Sequence, residues 1–221
     1  SEDNAMPDVM EVTVYRFEEL PERAKETARQ WYRESCLDYD WHDDTFEDFA
    51  RICEILGVSL KTTPVRLYGG GTRDKPRIYF SGFSSQGDGA CFEARYRYAR
   101  GAHREIRAYA PQDEELHRIA DAFRDVQRRS FYQLTADATH QGRYYHEYSM
   151  SVAVERGDTH YGDASEHAEN AIAEILRDLA RWLYRALEKE YDYLTSDPVV
   201  DEAIAANGFR FTEAGGRLAK L

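Results

Sequence analysis

The residue types best suited to chemistry are concentrated in one stretch, Ser81-Gly82-Phe83-Ser84-Ser85-Gln86-Gly87-Asp88-Gly89-Ala90-Cys91-Phe92, which combines three glycines, three hydroxyls, an amide, a carboxylate and a thiol. Glycines allow left-handed turns and close backbone approach, so successive N–H groups there can converge on an anion. The lysine of a GxxxxGK[ST] phosphate loop is absent, and Gly87-Asp88-Gly89 equally suits a tight strand connection. The turn reading is preferred. Cys91 would be a nucleophile if an imidazole from His103, His140 or His146 reached it. A cysteine leading into a strand is more often a small buried hydrophobe. In the second polar segment, Tyr144-Tyr145-His146-Glu147-Tyr148, His146 would become a proton carrier if Asp88 oriented it; otherwise it is a packed residue. The catalytic candidates are therefore Asp88, Cys91 and His146. A small-ligand, nucleotide or hydrolase pocket would lie between Ser84, Ser85, Gln86, Asp88 and Tyr145.

A different chemistry is offered by Asp38-Tyr39-Asp40-Trp41-His42-Asp43-Asp44-Thr45-Phe46-Glu47-Asp48, where carboxylates alternate with large rings. Tyr39, Asp40, Trp41, Asp43 and Asp44 would form a partner surface, with charge steering encounter and rings anchoring it. The plainer reading places Trp41 and Phe46 in the core and the acids at the positive end of the next helix. Asp40, His42, Asp43 and Asp44 have ligand chemistry for a metal, but the spacing matches no regular loop. No metal and no cofactor is expected. The charge is uneven: 15 acidic and 5 basic side chains over residues 1–50, 14 basic and 9 acidic over 61–130, and 9 basic and 16 acidic over 131–221. A formal net charge of −12 disfavours general nucleic-acid binding. A local patch of Arg95, Arg97, Arg100, Arg104 and Arg107 among tyrosines leaves that binding open.

The elements that must position these residues follow from periodicity. Alternation predicts strands over 12–17, 58–68, 77–83, 91–98 and 143–155, with a last one over 209–211. Apolar stripes at three- and four-residue steps predict helices over 22–34, 45–56, 113–132, 165–194 and 199–206. Pro21 and Pro198 stand at helix starts, and Gly57 and Gly208 at helix ends. Strands clustered between helices without βαβ alternation predict an α+β fold, its antiparallel or mixed sheet covered by helices mainly on one face. One domain over 1–221 is expected, with 1–11 and 214–221 flexible.

The chain has 221 residues, 42% hydrophobic and 32% charged, enough for a sizeable core. No stretch approaches the roughly 20 apolar residues of a membrane helix, and the first ten residues lack the basic-then-apolar order of a secretory signal, so a cytoplasmic location and no membrane partner are expected. Three scattered cysteines argue against a disulfide framework.

Several segments together resemble a family of phage and prophage proteins labelled antitoxin-like: Tyr15-Arg16-Phe17-Glu18-Glu19-Leu20 with Trp31-Tyr32, Phe80-Ser81-Gly82-Phe83 with Ser85-Gln86-Gly87-Asp88-Gly89-Ala90, Tyr184-Arg185-Ala186-Leu187-Glu188, and Phe209-Arg210-Phe211-Thr212. The resemblance implies an accessory protein of the host bacterial cytoplasm that binds and neutralises a defence component or toxin, as anti-CRISPR proteins and antitoxins do. It supplies no catalytic residues. The leading expectation is thus an inhibitor, more an acidic binding protein than an enzyme, with a homodimer through the helix over 165–194 as a further expectation.

Overall fold

The structure is a computed structural model and describes residues 11–37, 40–157 and 163–219. The chain is organised as two compact units: residues up to Trp41 together with those from Tyr191 onward, and His42–Glu190. The fold is α+β, as expected, with one long helix toward the C-terminal end.

The first unit is built from both ends of the chain. Helices α1 (Glu22–Ser35) and α6 (Asp197–Ala206) contribute Ala24, Ala28, Val200 and Ile204 to a core closed by Phe17, Leu20 and Phe211. Arg29 is buried beside it because Asp201 meets its guanidinium with two parallel bonds of 2.7 and 2.9 Å and Glu22 adds a third at 2.7 Å. Such a fork keeps a buried cation satisfied. The strand expected over 12–17 does not form: Tyr15 and Phe211 make a single bridge, and Val12 and Val14 are exposed, so the alternation has no face to bury. In the stretch expected to be flexible, Leu218 donates to the Arg210 carbonyl at 2.9 Å and Gly215 is buried against Ala24.

In the second unit, α2 (Asp43–Leu56) ends at Gly57, whose φ of +81° and packing on the Arg97 carbonyl leave no room for a Cβ. The main sheet is antiparallel, in the order β1 (Val58–Leu60), β6 (Ala94–Arg97), β7 (Leu134–His140), β8 (Met150–Arg156). One face carries the buried Val58, Ala94, Tyr96, Leu134, Ala136 and Ala138; Tyr96 stacks on Phe123 of α4 (Glu114–Arg129) with ring centroids 4.3 Å apart. The other face, with Ser59, Arg95, Arg97, Thr135, Ala153 and Glu155, is exposed. Helix α5 (Glu166–Thr195) buries Ile172, Leu176, Leu179, Leu183 and Leu187, the stripe expected from its spacing.

Two expectations need correction. The strand over 143–155 is confined to β8; Glu147–Ser149 is a 3₁₀ turn, and the Tyr144-His146-Tyr148 alternation belongs to rings of a loop rather than to a sheet face. Its partner β7 was not recognised, because Thr135-Ala136-Asp137-Ala138-Thr139 alternates small with polar residues and carries little hydrophobic signal. Helix α3 (Ala102–Tyr109) likewise lies in a stretch, 99–112, to which the sequence assigns no element.

Of the three strands expected between 58 and 98, those over 58–68 and 91–98 are each broken at one residue, that over 77–83 shortens to 78–80, and a strand over 72–76 forms where none was expected. Lys61 separates β1 from β2 (Thr62–Arg66), Arg77 separates β3 (Thr72–Pro76) from β4 (Ile78–Phe80), and Glu93 separates β5 (Ala90–Phe92) from β6. The three breaking residues bond in a ring: Lys61 N–H to Glu93 O, Arg77 N–H to Lys61 O and Glu93 N–H to Arg77 O, at 2.8, 2.8 and 3.0 Å. Beyond this node, among the described residues, β2 pairs only with β3, and β4 only with β5. The Glu93 carboxylate braces it, accepting from Arg77 at 2.8 Å and from the His140 amide at 3.3 Å. Burial works against the Glu93 charge, yet these donors outweigh it and hold its carboxyl below the ordinary value. Glu93→Gln is expected to lower stability at neutral pH by about 1–3 kcal/mol, the worth of a hydrogen bond to a charged group. Because the folded carboxyl is the stronger acid, the difference from wild type should shrink as pH falls from about 4.5 through the folded value; urea melts across pH 3–7 read it directly.

Candidate functional site

The glycine-rich loop runs from β4 to β5, which are antiparallel with Phe80 opposite Ala90. Ser81 closes the loop's base: its N–H donates to the Gly89 carbonyl and its hydroxyl accepts from Gly89 N–H, each at 3.0 Å. The backbone N–H groups of Ser84 and Ser85 do converge on an anion, and that anion is the loop's own Asp88, whose Oδ2 accepts from them at 3.0 and 2.7 Å. The Ser85 amide foremost, against the opposing effect of burial, holds the Asp88 carboxyl below its ordinary range. Ser84, Ser85, Gln86 and Gly87 are exposed at the tip. The loop is further fixed by Tyr184 of α5, which donates to the Gly82 carbonyl at 3.1 Å and packs on Phe83 with ring centroids 5.5 Å apart.

The structure brings His146 to this loop through Gly89 rather than Asp88. A Cβ on Gly89 would lie 2.8 Å from the His146 ring and 3.0 Å from its Cα, so only glycine permits the approach. His146 Nδ1 is 3.3 Å from Tyr148 N and 3.1 Å from Glu147 Oε2; as an acceptor it takes the amide, and as a donor it meets the carboxylate. Glu147 is held in turn by Arg181 at 3.1 Å, and Arg181 also reaches Glu174 at 2.8 Å, Asp178 at 2.7 Å and the Tyr148 hydroxyl at 3.0 Å. Arg181 loses hydration there, but three carboxylates more than compensate and hold it charged. Tyr145 stacks on Tyr79 with centroids 5.2 Å apart and planes 11° apart, with His140 beside both. Glu147, Arg181 and Tyr184 were not singled out from sequence. The spacing Glu174, Asp178, Arg181 along one helix was the available signal.

Cys91 is fully buried, and burial pushes its thiol up to about 11; its polar neighbours are the Ser149 hydroxyl and the His146 backbone rather than an imidazole. Cys53 is also fully buried and shifted upward by burial. Thiolates are the reactive form, so Cys91 is suited here to packing.

The acidic segment divides between the units. Tyr39 lies outside the described residues. Asp40 is exposed, and Trp41 is half-buried in the first unit with its ring 5.6 Å from that of Tyr191. On α2, Phe46 packs against His42 and Phe80, with centroids 4.6 and 6.0 Å away, whereas Asp43, Asp44, Glu47 and Asp48 are exposed. Asp48 accepts from the Tyr109 hydroxyl. Among the described residues Asp44 and Glu47 have no cationic partner. Asp43 and Asp44 thus lie in the first helical turn, where the dipole favours them, and all four acids remain open to solvent. Of the basic patch, Arg95 and Arg97 line a shallow groove of about 550 Å³ on the sheet's open face, while Arg107 is paired with Asp121 at 2.7 Å.

No curated protein and no solved structure matches the chain. A family model with the description Domain of unknown function (DUF8835) matches residues 41–197, and the chain belongs to that family. The match spans the glycine-rich loop, the His146 turn, α2 and the whole of α5.

Two outcomes follow from this geometry. Gly89→Ala should cost about 1–3 kcal/mol by overpacking against His146, seen as a lower melting temperature. In the native protein a thiol reagent should modify Cys36, the partly exposed thiol, and reach Cys53 and Cys91 only after denaturant is added. The raised Cys91 value also means that its contribution to stability, intact below pH 9, is lost as pH climbs toward about 11.

Proposed function

We propose that this member of the family is a non-catalytic accessory protein of phage or prophage origin that binds and inhibits a bacterial defence component or toxin, using the acidic face at the start of α2. One contrast carries the reading. The loop with the richest chemical groups spends them on itself, Asp88 on its own amides and Cys91 in the core, while Asp43, Asp44 and Glu47 stay exposed. Asp44 and Glu47 have no cationic partner among the described residues, Asp43 has the His42 ring at 4.0 Å, and exposed carboxylates at a rim accelerate encounter with a basic protein and set its orientation. The overall charge of −12 acts in the same direction. Phe46, packed inward, contributes to positioning the helix rather than to anchoring a partner. The resemblance of the loop and the Tyr184–Glu188 segment to phage proteins supports the cellular setting.

The test is capture from bacterial lysate with identification of the retained proteins, beside the neutralised variant Asp43→Asn, Asp44→Asn, Glu47→Gln. Wild type should retain a defence component or toxin and block its activity; the variant, with an unchanged fold by circular dichroism, should bind it about tenfold more weakly, and added salt should weaken wild type in the same way. Retention unaffected by the variant, or turnover of a nucleotide lost on His146→Ala, would replace this reading.

A further inference from the structure

The β2–β3 ribbon is the least explained part of the molecule. Both strands pair in register from Thr62 opposite Pro76 to Arg66 opposite Thr72, and every strand residue except the half-buried Pro76 is exposed. Leu67 is 50% exposed, and Tyr68, at the Gly69-Gly70-Gly71 tip, is fully so. An isolated two-stranded ribbon is marginal in water and gains nothing from displaying Val65, Leu67 and Tyr68 there.

Its charge is ordered. Residues directly opposite one another share a face, so Lys61 with Arg77, Thr63 with Lys75 and Val65 with Arg73 form one side, and Pro64 with Asp74 and Arg66 with Thr72 the other. Four of the five cations between 61 and 77 therefore stand on a single face, against one carboxylate, Asp74, on the opposite one. Lys61 and Arg77, at the base, are engaged by Asp137 and Glu93. Arg66, Arg73 and Lys75, farther out, have no ion pair among the described residues. An exposed positive element on a chain of net charge −12 is complementary to a polyanion.

From this we infer that β2–β3 is a DNA-binding arm, which enters the major groove of a duplex with Arg66, Arg73 and Lys75 against phosphates and Tyr68 at the leading tip. A two-stranded ribbon fits the B-form major groove, whereas the A-form groove of RNA is too narrow for it. Outside the arm acidic side chains outnumber basic ones, so the contact is assigned to the arm rather than to the chain as a whole. This inference is independent of the proposed acidic face: it uses other residues and another class of partner.

The experiment is fluorescence anisotropy of a short labelled DNA duplex with the full chain over a salt series. Saturable binding is expected, with log Kd changing against log salt by about 0.9 for each phosphate neutralised, or about 2.7 for three. Arg73→Ala with Lys75→Ala should weaken binding at least tenfold at low salt and reduce the slope by about 1.8. Tyr68→Ala should weaken binding with the slope unchanged, and Arg104→Ala on α3 should change neither. These residues are exposed, and an unchanged melting temperature confirms folding of each variant. No binding at low salt, equal affinity for an RNA duplex, a slope unaffected by the double variant, or loss in that variant of a protein partner instead of DNA would overturn the inference.

Discussion

The second unit depends on the ring of three backbone hydrogen bonds among Lys61, Arg77 and Glu93. Three extended segments arrive there together, and at this point each changes its pairing partner. On one side β1 and β6 join the main sheet. On another, β4 and β5 carry the glycine-rich loop toward His146, and β2 and β3 pair as the exposed ribbon. Every amide at the junction is satisfied, so the chain can divide its sheet without leaving a buried donor unpaired. The side chains of the same residues then tie the node to its neighbours: Glu93 to the β7 terminus through His140, and Lys61 to Asp137.

A second constraint fixes β7, the strand that the sheet order turns on. Gln127 is fully buried near the end of α4; its amide nitrogen donates to the Leu134 carbonyl at 2.8 Å and its oxygen accepts from the Leu134 N–H at 3.1 Å. The side chain thus imitates a neighbouring strand at the start of β7. A slip by one residue would turn Ala136 and Ala138 outward and Asp137 into the core. With register set, the β7–β8 connection delivers His146 to Gly89. The glycine-rich loop, the turn at Glu147 and α5 around Arg181 then form one bonded assembly in which charged groups meet each other. That self-sufficiency is what separates the loop from the ribbon and from the start of α2, whose charges have solvent in front of them.

How much of this was legible in the sequence depends on where the signal resides. Helices α1, α2, α4, α5 and α6 were readable from their apolar stripes, and α1, α2 and α6 also carry proline or glycine at an end. The open sheet face was readable from the alternation of Arg95 and Arg97 with buried Ala94 and Tyr96. What failed was non-local. Strand β7 owes its place to Gln127 and to two partners, not to hydrophobicity of its own. The breaks at Lys61, Arg77 and Glu93 exist only because three distant residues bond one another. At the site, Gly87-Asp88-Gly89 stands out in the sequence, and convergence of amides on an anion was the alternative to the preferred turn; that the anion would be Asp88 itself could not be read from spacing. The ribbon was missed because Thr72–Pro76 is polar and carries no apolar alternation, so the partner that turns Thr62–Arg66 away from the main sheet left no signal.

The first unit places Phe17, Ala24 and Ala28 in one core with Val200, Ile204 and Phe211. On the ribosome, α1 therefore emerges long before the residues that cover its apolar face, and at ordinary synthesis rates it waits on the order of ten seconds for them. During that interval its nascent apolar side is open to chaperones, and the intervening unit has time to fold first. The unit His42–Glu190 is thus translated in full before Val200, Ile204 and Phe211 emerge to complete the core begun at Phe17.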